Sequence, residues 1–573
     1  MIVFLDSVEK AVLLLVWGRV LSVLLGAAEH DIDTAQWRVV LAVVTLGGFI
    51  FDSFFQKVSL YEYCGFSYRK ERELASKRPP GLLGGAILVP MVLGSVVNNC
   101  NEGSEGGSNY KRYLLFLLSL SICCSMSSLI EIGFRRKLKG CNRVGLLCLS
   151  GFSVVVSAFA CQGIDPWGEG TMFLAYLTFI ASYRGLYYVT ATYLGGSFTV
   201  GEAMSAVQAF CVLSTDFALL LLSQFLPKRG SEGALDSSFF VKLGLFQDRS
   251  ALDIVLEVGI LGTLLIGLCA TCASRMFWTS RFQKRAFYGS TVAGYVALVA
   301  TSSHLLDDEG TNFIVWVYNF VFREELHLLM VAFWGFFLFI GVAMVMWYGS
   351  FVRGGLVVKR KLFHALALVL FCPPLLMAFE LLKLALGVAF GILLLLEIVR
   401  ANDSTSYYMK IFDSYMHENT DERDSGSLIL THLYLMAGCA VPMWLVDQRE
   451  GHSEAPVLQS SKLLCACSGL ISVGIGDALG GVIGKLMGKH RWPRSKKTFE
   501  GSAAVGISVF IFSVVVSMVP QLCFPGMPVL GRGTVSIPGI ALLSFTTMVL
   551  EASTGQIDNI LLPLVFFSLM STV

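Results

Sequence analysis

The sequence predicts an all-α fold, a polytopic bundle of roughly 14–18 transmembrane helices, and three observations carry that prediction. The chain of 573 residues is 55% hydrophobic and 15% charged, against about 25% charged in a soluble globular domain. Its mean hydropathy is +0.68. Apolar windows close to the ~20 residues that a helix needs to cross a bilayer recur along most of its length. The windows do not alternate polar and apolar residues as barrel strands do, so the backbone must satisfy its own hydrogen bonds as helix.

In chain order the windows fall at 11–28, 38–55, 81–98, 113–133, 145–161, 171–193, 202–226, 252–274 and 287–303. They continue at 313–322 with its flanks, 327–348, 362–379, 381–399, 427–446, 462–484, 502–519, 537–552 and 557–571. The first is read as a span, because Arg19 interrupts it and no small-residue cleavage site follows. Basic loops at 68–78, 135–139, 275–285 and 353–361 point to the cytoplasm, and the acidic "HLLDDEG" at 304–310 to the opposite face. Net charge is +2, so charge acts locally and nucleic acid is not an expected partner. The 15 cysteines lie mostly inside apolar runs without zinc-site spacing and read as small hydrophobes.

Texture divides the chain into a multispan region, 1–350, to which no role is assigned, and a region, 351–573, whose polar residues come in compact blocks at helix ends. Counting crossings from Arg360 brings four blocks to one face: "KRKLFH", "DERDSG" (421–426), "GIGDALGG…KHRWPRSKKTFEG" and "EASTGQIDN" (551–559). Lys485, Lys489, Arg491, Arg494, Lys496 and Lys497 form a cation run that suits a polyanion, and a triphosphate at a membrane surface is a compact one. The same run also suits a positive-inside anchor or an anionic-lipid contact. Gly474, Gly476, Gly480, Gly481 and Gly484 allow close backbone approach to phosphate or to another helix. Asp477 lies inside an apolar segment and calls for a cation partner. Glu551 and Asp558 stand close to the hydrocarbon, where carboxylates are functional by default. A Walker loop is excluded by Leu479 and Leu486 at positions where glycine and serine or threonine are required.

"DERDSGSLILTHLYLMAGCAVPMWL", "GIGDALGGVIGKLMGKHRWPRSKKTFEG" and "EASTGQIDNILLPL" resemble the CTP-dependent polyprenol kinase family, and most closely its dolichol kinase branch, over about residues 355–573. The resemblance implies transfer of the γ-phosphate of CTP to dolichol or a related polyprenol, giving dolichyl phosphate for protein glycosylation. It also implies Mg²⁺ or another divalent cation, and a multi-pass location among the lipids of the endoplasmic reticulum membrane with the site on the cytoplasmic face. Carried over residue by residue, Gly484, Gly488, Lys496, Lys497, Thr498, Glu500 and Gly501 are expected at the CTP, supplemented by Arg360 and Lys361. Asp477 is expected at the metal ahead of Asp424 and Glu500, while Asp558, Glu551 and His364 compete to activate the alcohol and Asp424 joins the catalytic candidates. A kinase of another lipid alcohol, such as phytol, farnesol or diacylglycerol, and a multispan lipid transporter remain the alternatives.

Overall fold

The computed structural model describes residues 2–26, 81–99, 105–137, 151, 172–194, 197–225, 250–277, 280–303, 305–306, 311–351, 356–403, 406–419, 427–446, 460–492, 497–523, 535–554 and 558–572. These residues are almost entirely helical. The amino-terminal group comprises α1 (Ile2–Gly26), α2 (Leu82–Asn98), α3 (Glu105–Lys137), α4 (Met172–Tyr193) and α5 (Val200–Phe225). Next come α6 (Ala251–Arg275), α7 (Ser280–Ser302), α8 (Phe313–Phe322) and α9 (Glu325–Phe351). The last group holds α10 (Leu356–Met377), α11 (Phe379–Asn402), α12 (Tyr407–Asn419), α13 (Thr431–Leu445) and α14 (Ser460–Ala466). A π-helix at Leu470–Asp477 runs directly into α15 (Ala478–Leu486), followed by α16 (Phe499–Cys523), α17 (Ile537–Ser553) and α18 (Asp558–Met570).

Helix starts carry their own signals. Ser250 accepts a hydrogen bond from the Asp253 N–H at 3.1 Å to cap α6, Asn312 caps α8 through Val315, and Ser536 caps α17 through Gly539. The α10–α11 junction at Ala378 follows Pro373 and Pro374, which remove the amide donors that would carry the helix on.

Five described helical segments are long and apolar enough to cross a membrane: Tyr113–Glu131, Val200–Leu221, Ala251–Arg275, Phe379–Asn402 and Phe499–Pro520. Two bent pairs raise the number to 7 among the described residues. Four shorter apolar helices add to these, and the windows at 38–55 and, apart from Gly151, 145–161 lie outside the described residues. One correction concerns 313–322 and 327–348, expected as separate spans: Phe313–Phe322 and Glu325–Gly341 form one pair bent by 94°. Arg323, Glu324 and Glu325 stand at the bend, three charged residues side by side. A second concerns 462–484, expected as one helix, which breaks after Ala466 and resumes at 59°.

Residues far apart in sequence share one interior. A single cluster joins Trp17 of α1, Leu83 and Met91 of α2, Ile122 of α3 and Tyr183 of α4 to Met443, Leu470, Val505, Leu543, Phe566 and Phe567. One close crossing is made by glycine. A Cβ on Gly438 of α13 would lie 2.0 Å from the backbone oxygen of Asn559, and one on Gly469 would lie 2.3 Å from the backbone oxygen of Gly438. That contact fixes the start of α18, and with it Asp558, against the segment that leads into the π-helix.

Candidate active site

The π-helix ends on Asp477. Its wider i→i+5 winding is rare and concentrates at functional sites. The coil is wedged between α10 and α16: a Cβ on Gly474 would meet Leu368 at 3.3 Å, and one on Gly476 would meet Val509 at 3.0 Å. From α10, His364, 5% exposed, brings its Nε2 to 3.7 Å from Asp477 Oδ2. That separation is an electrostatic contact rather than a hydrogen bond.

The basic segment after α15 folds back on itself. Arg491 bridges Thr498 in antiparallel fashion, the Trp492 N–H donates to the Lys497 carbonyl at 3.0 Å, and the Phe499 N–H donates to the His490 carbonyl at 2.8 Å. The Trp492 ring stacks on Phe499 with centroids 3.8 Å apart. Thr498 caps α16, its hydroxyl accepting the Gly501 N–H at 3.1 Å. Glu500 turns away from the acidic cluster and takes both the N–H and the ring Nδ1 of His490, the latter at 2.7 Å. The glycines of this motif bring backbones together. A Cβ on Gly484 would lie 2.9 Å from the Thr498 hydroxyl, one on Gly488 would lie 2.2 Å from the Gly484 oxygen, and one on Gly501 would lie 2.8 Å from the Gly480 oxygen.

Lys497 is the centre of the arrangement. Its ammonium lies 3.0 Å from Glu551 Oε1 and 3.6 Å from Asp558 Oδ2, and it also donates to the Glu551 backbone oxygen. Burial works against its charge, but Glu551 and Asp558, with a smaller contribution from Asp477, outweigh burial and raise its pKa above the ordinary lysine value. The segment leading into α16, together with α17 and α18, thus delivers Lys497, Glu551 and Asp558 to one place, and the π-helix brings Asp477 within electrostatic range.

Three of the four polar blocks contribute to this neighbourhood. The fourth, with Asp424, lies outside the described residues, as does Lys496. Arg360 and Lys361 fall on α10, about one turn before His364, with their side chains outside the described ones. Two participants escaped the sequence reading. The buried Ser502 hydroxyl donates to Glu551 Oε2 at 3.1 Å, and the Trp492 indole N–H donates to Ser502 at 3.1 Å. The available signal was spacing, since Ser502 follows Thr498 by four residues and so shares its helix face.

Among the described residues, no three His, Cys, Asp or Glu side chains gather closely enough to hold a metal ion by themselves. The donor chemistry nevertheless fits Mg²⁺, which takes a carboxylate or two and completes its shell with phosphate oxygens and water. Asp477, Glu551 and Asp558 supply three carboxylates against the single ammonium of Lys497, an excess of negative charge that a divalent cation would offset.

Comparison with known proteins bears on this site. The chain is 27% identical over 388 residues to a dolichol kinase of Arabidopsis thaliana, covering 65% of this chain and 64% of that protein. It is 30% identical over 272 residues to the dolichol kinase of Mus musculus, covering 45% and 48%, and 27% identical over 329 residues to that of Schizosaccharomyces pombe, covering 55% and 61%. The match therefore spans about half to just under two-thirds of these relatives' lengths. No family model matches the chain, and no solved structure does. The chain is thus similar to dolichol kinases of plant, animal and yeast, and among its described residues it carries several helices long and apolar enough to cross a membrane.

Proposed function

We propose that this protein phosphorylates dolichol, or a polyprenol like it, with CTP as donor and a divalent cation as cofactor. The observation that carries the proposal is the Lys497 ammonium held between Glu551 and Asp558, in the field of Asp477, at the root of a basic hairpin. Phosphoryl transfer asks a protein mainly for positioning and for neutralisation of phosphate charge. This cluster supplies both where apolar helices end.

In this reading the alcohol oxygen forms a bond to the γ-phosphorus, the bond from that phosphorus to the β–γ bridging oxygen breaks, and CDP leaves with the bridging oxygen. Lys497, with Lys496 beside it, holds the β- and γ-phosphates. Arg360 and Lys361 supplement them from α10. Asp477 would hold Mg²⁺, which when bound supplies further neutralisation of the phosphate oxygens. Both oxygens of Glu551 are engaged, one by Lys497 and one by Ser502, so it serves as a fixed anchor. Asp558 takes the alcohol proton, since its contact with Lys497 is the longer one and it opens α18 at the same end of the cluster. His364 steadies Asp477. The isoprenoid tail stays in the bilayer beside apolar side chains such as Ile507 and Ile511 of α16, both exposed on the protein surface. The cytoplasmic face of the endoplasmic reticulum membrane would bring water-soluble CTP to the hydroxyl.

The test is transfer of label from γ-labelled CTP to dolichol by purified protein in liposomes, with ATP as alternative donor and phytol, farnesol and diacylglycerol as alternative acceptors. Labelled dolichyl phosphate and unlabelled CDP are expected. Label on another alcohol in preference to dolichol, or release of pyrophosphate instead of CDP, would overturn the assignment.

A further inference from the structure

Four residues from three elements close a ring of hydrogen bonds at the root of the basic hairpin. The Trp492 N–H donates to the Lys497 carbonyl at 3.0 Å, and its indole N–H donates to the Ser502 hydroxyl at 3.1 Å. Ser502 donates to Glu551 Oε2 at 3.1 Å, and Glu551 Oε1 receives the Lys497 ammonium at 3.0 Å. The ring can run in one direction only. An indole N–H and an ammonium are donors without acceptor capacity, an ionised carboxylate is an acceptor alone, and so the hydroxyl must accept from Trp492 and give to Glu551. Ser502 is 3% exposed, which keeps water from substituting for either bond. The Trp492 ring is itself held by its stack on Phe499.

We infer that Trp492 and Ser502 are positioning residues for phosphoryl transfer: through Glu551 they fix where the Lys497 ammonium stands when phosphate arrives. This deepens the function proposed above and rests on it. Rotation of the Glu551 carboxylate is stopped because Ser502 occupies one of its oxygens. The backbone bond from Trp492 holds the other end of Lys497. The hairpin and the α17 carboxylate therefore move as one piece, and the ammonium cannot shift without breaking the ring.

The experiment compares Ser502→Thr with Ser502→Val, which match in volume and differ in the hydroxyl, alongside Trp492→Phe, which keeps the ring on Phe499 and deletes the N–H. A hydrogen bond to a charged group lost in this way predicts a kcat for Ser502→Val about 10-fold below that of Ser502→Thr, with KM for the alcohol within about twofold. Because the residues form one circuit, Ser502→Val combined with Trp492→Phe should be no slower than Ser502→Val alone, where independent roles would multiply. Site-resolved acetylation of Lys497 by acetic anhydride, read by peptide mass spectrometry, should run about threefold faster in the Val than in the Thr variant as the ammonium loosens. Equal kcat and equal labelling in the Thr and Val variants would overturn the inference, and so would multiplicative losses in the double variant. Should the wild type transfer no phosphate, the proposed function fails and the labelling comparison alone decides the ring. Should both variants at position 502 fail to fold, Trp492→Phe carries the same two readouts, and its equality with wild type in them counts against the inference.

Discussion

Lys497→Met tests the centre of the site most directly. At an effective dielectric of about 20, the pairs at 3.0 and 3.6 Å are each worth roughly 5 kcal/mol of gross attraction, most of it cancelled by desolvation. Removing one partner of a fully buried pair costs about 3–5 kcal/mol, because the remaining charge is stranded. Here Lys497 is 23% exposed and the acids 11% and 18%, so water relieves part of the penalty and about 2 kcal/mol is expected. The effect on rate is larger. Loss of a charge placed at the transferred phosphate should lower transfer roughly 100-fold or more. Lys497→Arg restores the charge but spreads it over a planar fork, so it should recover thermal stability and little of the rate. Because the Lys497 pKa is raised, its stabilising contribution is whole below the unfolded lysine value of about 10.4 and is lost only as pH climbs through the raised value. The stability gap between wild type and Lys497→Met should therefore stay level from about pH 6 to 9. The assays are label transfer in liposomes and thermal unfolding in detergent across that range. A Met variant within threefold of wild-type rate and unchanged in unfolding midpoint would refute the assignment.

Further predictions concern the scaffold and the metal. Gly438→Ala drives a methyl into the Asn559 backbone and should lower folded yield sharply, whereas Gly391→Ala meets nothing within 4 Å and should be neutral or mildly stabilising; fluorescence-detected size exclusion separates them. Arg400 makes a two-pronged pair with Glu397 at 2.7 and 2.8 Å and reaches Asp413 and the Ser427 carbonyl, so Arg400→Gln should cost about 3 kcal/mol in thermal unfolding and Arg400→Lys noticeably less. Asp477→Asn should cut transfer about 100-fold and raise the divalent-cation concentration needed for half-maximal rate, as a titration would record; an unchanged requirement would remove Asp477 from the metal.

Much of the site could be read from residue order, because crossing parity is a strong constraint. Once the segments around Arg360, Lys497 and Glu551 are taken to end on one face, the ends of α10, the basic loop and the α17–α18 junction must meet there, as His364, Asp477, Lys497, Glu551 and Asp558 do. Asp477 did have the cation in its vicinity that its apolar setting demanded. What hydropathy could not convey was local shape. A window average is blind to the bend at Arg323 and Glu324 and to the break after Ala466, because flanking apolar residues swamp the few that cause it. The glycines were compatible with phosphate or with helix packing, and a Cβ at Gly480, Gly484, Gly488 or Gly501 would run into backbone or side chains of neighbouring turns. Ser502 and Trp492 stayed hidden because a single hydroxyl or indole carries no pattern until its neighbours in space are known.

The loosely wound coil at Leu470–Asp477 makes this stretch sensitive to length in a way that composition does not reveal. Ordinary winding turns each residue by about 100°. Deleting any one amino acid there would let the coil tighten and would swing the carboxylate at its end roughly a quarter-turn aside, carrying the glycine face of α15 with it. Variation within these eight positions is accordingly expected to exchange one small or branched side chain for another while the tally of residues stays the same.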